Sequence, residues 1–176
     1  MAPAIIETAR LQLHAFEAHS GSDAAFLHRL LNEPSFLKNI GDRGVRSLED
    51  AHAYLLKGPV ASYAANGFGM YRMQVKSSGE TAGICGLVKR VTLDHADLGY
   101  ALLPEFCGIG YAVEAAAAVL VHGHGVLGLR RIVAITGPEN AGSIRVLEKL
   151  DFKFENMLQW PPDNLPLKLF AHETPR

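Results

Sequence analysis

The sequence predicts a mixed α+β domain, of the α/β class, in which an antiparallel start is followed by alternating strands and helices. Apolar residues recur with a period of two in several short segments, and with the spacing of a helix face in others. The strand-like segments of residues 68–103 follow one another directly, whereas those after residue 110 alternate with helical segments. Neither a linker nor an internal repeat divides the chain, so residues 1–176 are expected to form a single domain.

The first third of the chain predicts one strand and two helices. Residues 10–16 alternate apolar and polar side chains, which is typical of a half-buried strand. Ser22 or Asp23 is placed to cap a helix that stops near Pro34. Its apolar face is formed by Phe26, Leu27, Leu30 and Leu31. The segment Ser47-Leu48-Glu49-Asp50 is similar to a capping box and predicts a second helix that ends at about Ala65.

Strand signals dominate from Phe68 onward. Residues 68–75 and 81–91 predict an antiparallel hairpin around the turn Ser77-Ser78-Gly79-Glu80. A further strand, residues 97–103, leads into a glycine-rich loop. The remaining segments are predicted in chain order as a helix over 111–123, a strand over 131–136, a helix over 140–150, and strands over 152–159 and 165–172.

Composition excludes several classes of function. The net charge is −1, so no basic surface indicates a nucleic-acid partner or a membrane surface. Residues 1–4 lack the features of a signal peptide, and the apolar run of residues 115–121 is too short to span a bilayer. Cys85 and Cys107 cannot form a disulfide framework and indicate free thiols. We therefore expect a cytoplasmic protein.

The strand, loop and helix around residues 98–121 predict an anion site. Apolar residues 98–103 precede the turn Phe106-Cys107-Gly108-Ile109-Gly110-Tyr111-Ala112, and a helix follows. Several unpaired N–H groups converge at such a helix start, and the helix dipole adds partial positive charge. Glycine allows the backbone to approach phosphates closely. A ligand with a pyrophosphate group is the expected occupant, although a tight turn of this kind also forms without a ligand.

A dinucleotide is the less suitable ligand for this loop. Its fingerprint would use Gly108 and Gly110, but Val113 occupies the position of the third small residue. The fingerprint also requires an acidic residue about 20 residues further on to bind a ribose. The next strand ends at Thr136-Gly137-Pro138, and no carboxylate occurs before Glu139.

Two motifs together resemble the GNAT (N-acetyltransferase) superfamily. Residues 103–115, which contain the glycine turn, resemble its acetyl-CoA pyrophosphate loop, and residues 139–152 resemble the helix that follows. The opening Glu7-Thr8-Ala9-Arg10-Leu11 is typical of the branch that contains the ribosomal-protein N-acetyltransferases. The resemblance spans nearly the whole chain. It implies a twisted, mostly antiparallel sheet of six or seven strands with helices on both faces, acetyl-CoA as co-substrate, and no metal.

The resemblance also implies which residues bind acetyl-CoA. Main-chain groups of Ala101, Leu102 and Leu103 would pair with the pantetheine arm. The pyrophosphate would be bound by the N–H groups of Gly108, Ile109, Gly110, Tyr111 and Ala112. Cys107 stands where the family usually has Gln or Arg, which removes one side chain that supports the phosphates.

Asn140 and Ser143 begin the second motif helix. Asn140 fits a helix cap as well as a cofactor contact. Ser143 lies one turn further, where the resemblance places a hydroxyl near the thioester sulfur, so it is the candidate catalytic residue. Leu147 occupies the position at which many members have a Tyr that acts as the acid.

The identity of the general base is not decided by the sequence. A base is required because an amine is largely charged at neutral pH. The candidates are Asp97, Glu33, Asp42, Glu155, His28 and His52.

Other interpretations of single residues are weaker. Cys107, beside a helix start, could act as a nucleophile that carries the acyl group, but no histidine is placed by sequence to activate it. His122 and His124 are two residues apart, which does not suit a metal site on a helix.

The predicted activity is transfer of an acetyl group from acetyl-CoA to a primary amine, either a small molecule or a protein N-terminus. A non-catalytic acyl-CoA-binding module is the alternative, since the usual Gln or Arg and the usual Tyr are missing. The resemblance also implies that the chain can form a homodimer, without indicating a surface.

Overall fold

A computed structural model describes residues 2–175 and contains one eight-stranded sheet in the order β1-β2-β3-β4-β5-β6-β8-β7. The strands are β1 (Ile6–Glu7), β2 (Leu11–His14), β3 (Met70–Val75), β4 (Thr81–Val88), β5 (Asp97–Leu102), β6 (Arg131–Thr136), β7 (Lys153–Trp160) and β8 (Leu165–Glu173). The helices are α1 (Gly21–Leu31), α2 (Pro34–Asn39), α3 (Leu48–Leu55), α4 (Ala61–Asn66), α5 (Tyr111–Gly125) and α6 (Ala141–Lys149). None of the described helices is long and apolar enough to cross a membrane.

The predicted mixed α+β class is confirmed, with one strand more than the resemblance implied. The additional strand is β1, which pairs Ile6 with Leu13 and Glu7 with Gln12. A strand of two residues carries too little alternation to be recognised from sequence. The predicted strand over residues 131–136 coincides with β6.

The start and end of α1 differ from the prediction. The N-cap is Ser20, whose hydroxyl accepts a hydrogen bond from the amide of Asp23 at 3.1 Å, so the prediction of Ser22 or Asp23 as cap was wrong. The carboxylate of Asp23 instead accepts from the amide of Glu17 at 2.9 Å. Pro34 does not merely end a helix but begins α2, since proline suits the first helical position.

The second predicted helix is divided into two. The capping box at Ser47 and Asp50 is present and begins α3. A π-helical turn, Leu56–Val60, then separates α3 from α4. This turn contains Pro59, which has no N–H group and therefore cannot continue the hydrogen bonding of an α-helix.

The sheet consists of two antiparallel parts joined by one parallel contact. Strands β1 to β5 form the first part, and β6, β8 and β7 form the second. Between β5 and β6 the described residues show a single bridge, Asp97 with Val133, supported by a hydrogen bond of 2.9 Å from the Val133 amide to the Ala96 carbonyl. Beyond this bridge the two strands separate, so the C-terminal half of β5 has a free edge. We refer to this opening as the β5–β6 gap.

Apolar side chains cover both faces of the sheet. Helices α5 and α6 pack on one face in the largest cluster, which includes Leu120 and Leu147. Helices α1 and α3 pack on the other face together with Ile84 and Leu103. A smaller cluster around Leu93, Val133 and Ala171 lies on the second part of the sheet. On the α1 and α3 face the two parts of the sheet are thus packed by different clusters, whereas the α5 and α6 cluster includes residues of both parts, such as Leu98 and Ile132.

A histidine pair joins the end of α5 to β8. His124 Nδ1 lies 2.6 Å from the carbonyl oxygen of Leu129. Because a carbonyl only accepts hydrogen bonds, Nδ1 carries the hydrogen, and Nε2 accepts from His172 Nδ1 at 2.9 Å. Burial, and then the neighbouring His124 ring, lower the pKa of His172.

This pair predicts a loss of stability on acidification. The unfolded chain protonates His172 near its ordinary pKa of 6.5, whereas the folded chain does so only at lower pH. The free energy of unfolding should therefore fall as pH decreases from about 7.5 to about 5.5, as measured by urea titration. The variant His172→Gln should show a smaller decrease. Substitution of the exposed His19 by Gln is the matched control, and equal decreases in all three proteins would contradict the prediction.

Candidate functional site

The loop between β5 and α5 is shaped by two glycines. A 3-10 turn, Pro104–Phe106, follows β5, and Cys107 is extended, with φ −78° and ψ 155°. Gly108 has φ 78° and Gly110 has φ 89°, in the left-handed region that favours glycine. Gly110 is also the N-cap of α5 and has no side chain that could bind the amides of the first turn. The loop therefore leaves the start of α5 open.

Unpaired amides line this loop. Within residues 2–175, the N–H groups of Gly108, Ile109 and Gly110 donate no hydrogen bond to another main-chain group. The first helical bond of α5 runs from the Glu114 amide to the Gly110 carbonyl at 3.1 Å, which leaves the N–H groups of Tyr111 and Ala112 without helical partners. All five positions predicted to bind pyrophosphate thus present free main-chain donors next to the positive end of a helix dipole.

The N-terminal turn holds this loop in place. Glu114, in the first turn of α5, accepts from the Thr8 hydroxyl at 2.6 Å, the Arg10 amide at 2.9 Å and Arg10 Nε at 2.6 Å. Arg10 Nη1 also donates to the Ile109 carbonyl at 2.9 Å, and its guanidinium lies 4.6 Å from the centre of the Tyr111 ring. Sequence reasoning missed this connection, although Thr8 and Arg10 belong to the opening that marked the resemblance.

Cys107 does not show the features of an activated nucleophile. Its thiol lies 3.6 Å from the Leu103 carbonyl oxygen and donates to it. Burial, and then the nearby charge of Glu105, raise the pKa of the thiol, so the reactive thiolate is disfavoured. This environment argues against the role of acyl carrier.

The free edge of β5 presents main-chain groups to the β5–β6 gap. The Leu103 amide donates to the Ala82 carbonyl at 2.8 Å, so its hydrogen bond is made with the β4 side. Since main-chain direction alternates along an antiparallel strand, Ala101 also faces β4, whereas Leu102 and Tyr100 face the gap. Of the three positions predicted to contact pantetheine, Leu102 has the available groups, and Tyr100 is an additional one.

A pair of hydroxyl groups lies beside the gap. The hydroxyl of Tyr100, on β5, is 2.8 Å from that of Ser143, on α6, and 3.3 Å from the Ser143 carbonyl oxygen. Burial raises the pKa of Tyr100 to about 12, against a smaller lowering by the bond to Ser143. Asn140 caps α6 by accepting from the Ser143 amide at 3.2 Å. Sequence analysis identified Ser143 but not its partner, because Tyr100 is 43 residues away along the chain.

The candidate bases occupy different environments. Asp42 and Glu155 are paired with Arg46 and Arg131 respectively, and these partners hold both carboxyl pKa values below the ordinary range. Glu33 faces Arg29 at 3.6 Å.

The remaining candidate bases are two histidines and a carboxylate at the bridge. His28 and His52 each bind a main-chain carbonyl, of Arg46 at 3.2 Å and of Ala18 at 2.8 Å. Asp97 lies at the bridge where the gap begins. Among residues 2–175 no group of three or more histidine, cysteine or acidic side chains is arranged to hold a metal ion.

Comparison with known proteins agrees with this geometry. The model of the acetyltransferase (GNAT) domain family matches residues 10–153. An uncharacterized N-acetyltransferase of Bacillus subtilis (strain 168), YoaA, is 27% identical over 157 residues, which cover 88% of this chain and 86% of that protein. The spermidine N(1)-acetyltransferase of Escherichia coli (strain K12) is 34% identical over 91 residues, or 49% of this chain and 47% of that enzyme.

A solved structure shows the same fold over nearly the full length. RimL, a ribosomal L7/L12 alpha-N-protein acetyltransferase in complex with coenzyme A, superimposes with a TM-score of 0.80 at 20% identity, covering 97% of each chain. The family match extends over most of the sequence and includes both the glycine loop and α6. The chain therefore belongs to the GNAT family and is an acetyltransferase.

Proposed function

We propose that the protein transfers an acetyl group from acetyl-CoA directly to a primary amine. The observation that carries this proposal is that three features lie next to one another around β5 and the loop that follows it. The free β5 edge runs into the loop of unpaired amides, and the Tyr100–Ser143 pair stands beside the same edge. A long thioester with a diphosphate at one end matches this order of apolar edge and anion site.

The loop amides would bind the diphosphate. The donors of Gly108, Ile109, Gly110, Tyr111 and Ala112 are fixed before binding, so little ordering is required. These contacts are made by the main chain, which is why Cys107 can replace the usual Gln or Arg without removing the site. Asn140 supports the adjacent start of α6 by its cap.

The β5 edge would orient the pantetheine arm. The amide and carbonyl groups of Tyr100 and Leu102 face the gap and can pair with the amides of pantetheine as a further strand would. Ala101 and Leu103 hold β5 against β4 and so fix the position of this edge.

Ser143 would stabilise the leaving thiolate by a hydrogen bond. A thiol has an ordinary pKa of about 8.5, whereas burial raises the pKa of Tyr100 to about 12. Complete proton transfer from Tyr100 to a thiolate is therefore unfavourable. When Tyr100 donates to Ser143, the Ser143 hydroxyl is free to donate to sulfur, and water supplies the final proton.

The acceptor is a primary amine of a small molecule or of a protein N-terminus. The related spermidine acetyltransferase and the RimL enzyme are named for acceptors of these two kinds. Helices α1, α2 and α3 contribute to the cluster on the sheet face opposite α5, and they would form one wall of the acceptor site.

A thiol-release assay with acetyl-CoA and an amine panel tests the proposed function. The panel contains spermidine, an aminoglycoside, free amino acids and glycylglycinamide as a minimal peptide N-terminus, with products identified by mass. Thiol release that depends on an amine and yields its acetylated form supports the proposal. Binding of coenzyme A without turnover of any amine would favour a non-catalytic acyl-CoA-binding module.

The substitution Gly110→Ala should weaken binding of coenzyme A. A Cβ at Gly110 would lie 3.2 Å from Arg10 Nη2 and would occupy the left-handed region at φ 89°, so the loop must shift. A strain of about 1–3 kcal/mol would raise the Kd roughly 5- to 150-fold in titration calorimetry. The matched control is Gly125→Ala, at the other end of α5, where an added Cβ meets no atom within 4 Å. Equal affinity of both variants would contradict the role of the loop.

The substitution Ser143→Ala should reduce kcat while the Kd for coenzyme A changes little. Loss of a hydrogen bond to a charged group costs about 1.5–3 kcal/mol, or roughly 10- to 150-fold in rate. The cap of α6 survives, since Asn140 accepts from the main-chain amide of Ser143. Tyr100→Phe removes only the neighbouring hydroxyl and should have a smaller effect. Unchanged kcat in Ser143→Ala would rule out its assistance to the thiolate.

A further inference from the structure

One buried carboxylate at the β5–β6 gap has no complete set of partners. Asp97 is 1% exposed, and its Oδ2 accepts from Arg90 Nε at 2.7 Å. Among the described residues, its Oδ1 is buried without a hydrogen-bond partner. A buried charged oxygen without a partner is unfavourable, and native proteins usually retain one where a water, an ion or a substrate completes it.

We propose that Asp97 is the general base, which takes the proton of the acceptor amine through its unpartnered oxygen at the point where β5 and β6 separate. This assignment rests on the proposed function, since it supplies the proton acceptor that amine acetylation requires. Sequence alone left this role open among six residues.

Asp97 lies at the start of the opening between the strands. Asp97 is bridged to Val133, and Ile135 lies two residues further along β6, on the side where the strands diverge. The Ile135 amide is near enough to contribute to lowering the pKa of Asp97. In a regular parallel pair, a main-chain carbonyl of β5 would meet this amide. Here the Asp97 carboxylate lies near that amide at the start of the gap, but its Oδ1 accepts no hydrogen bond from the described residues.

Asp97 and the Tyr100–Ser143 pair lie on opposite faces of the sheet. Side chains alternate along β5, so Asp97 shares a face with Ala101, which packs with the α1 and α3 cluster. Tyr100 packs in the cluster with α5 and α6. An amine that enters from the α1 and α3 face would therefore meet Asp97, while the leaving sulfur on the other face would meet Ser143.

The electrostatic environment suits a base that works near neutral pH. Burial raises the pKa of Asp97 to about 6, although the charge and hydrogen bond of Arg90 oppose this change. Arg90 is the charged side chain in contact with Asp97, and it also lies 5.8 Å from the centre of the Trp160 ring. On β6, Arg131 is directed to Glu155 and Glu173. Asp97 thus remains largely ionised at neutral pH while being more basic than an ordinary aspartate.

The proton and electron changes balance in one displacement. The amine nitrogen attacks the thioester carbonyl carbon, and a C–N bond forms as the C–S bond breaks. Asp97 takes one proton from the ammonium form of the acceptor before the attack and later releases it to water, and the second proton leaves the nitrogen to water as the amide forms. The thiolate leaves with the electron pair of the C–S bond and is protonated from water beside Ser143.

The test measures kcat/KM against pH for the wild type, Asp97→Asn and Arg90→Gln. Acetyl-CoA is used with the most active amine of the panel above, and thermal melting of each variant checks that it is folded. Asp97→Asn should lower kcat/KM about 100- to 10,000-fold near neutral pH. The decrease of kcat/KM below about pH 6, which protonation of Asp97 would cause in the wild type, should be absent from Asp97→Asn. The activity of this variant should recover at high pH, where the amine is already neutral. Arg90→Gln should keep the decrease at low pH and shift it to higher pH, because loss of the cation favours the protonated carboxyl.

The outcomes separate the two levels of the proposal. Absence of acetyl transfer by the wild type to every amine tested would refute the proposed function and this assignment together. Normal wild-type transfer with an unchanged rate in Asp97→Asn would refute only the role of Asp97. If Asp97→Asn and Arg90→Gln lost equal activity with profiles of unchanged shape, the pair would be a structural ion pair, and the assignment would be overturned.

Discussion

A single bridge between β5 and β6 is the constraint on which the remainder of this structure depends. Within residues 2–175 every other pair of neighbouring strands has two or more residue pairs, whereas between β5 and β6 only Asp97 and Val133 are paired. A free strand edge inside a sheet is unfavourable unless something completes it, because its N–H and C=O groups lack partners. The core on the α1 and α3 face is divided into separate clusters on either side, while the α5 and α6 cluster packs against both parts and holds them together. The opening is thus built into the architecture.

The same bridge sets the positions of the groups around the opening. The β5 strand sends Tyr100 toward α6 and Asp97 toward the opposite face, while its end continues into the amide-rich loop. The connection of Glu114 to Thr8 and Arg10 then holds that loop against the N-terminal strands. The free main-chain edge, the start of α5 and the pair of hydroxyl groups therefore all depend on the position of β5 and of the loop that follows it.

Much of this arrangement could be predicted from the sequence, and the features that could not be predicted were missed for physical reasons. The glycine loop, α6 and most strands were predicted because glycine spacing, capping residues and apolar periodicity are local signals. The cap of α1 was misplaced because Ser20, Ser22 and Asp23 are all suitable caps, and only tertiary contacts directed Asp23 to the Glu17 amide. Tyr100 was missed since its role depends on a contact with a distant helix. The selection of Asp97 required burial and register, which no local pattern contains.

The use of main-chain donors in the loop has a consequence for the divergence of related sequences. An amide is present whatever the side chain, so positions such as Cys107 and Ile109 are free to change as long as Gly108 and Gly110 keep the backbone shape. The residues at these positions can accordingly differ among family members while the loop keeps its main-chain donors. A search pattern that demands Gln or Arg where Cys107 stands would overlook such members, whereas one written in terms of glycine spacing would retain them.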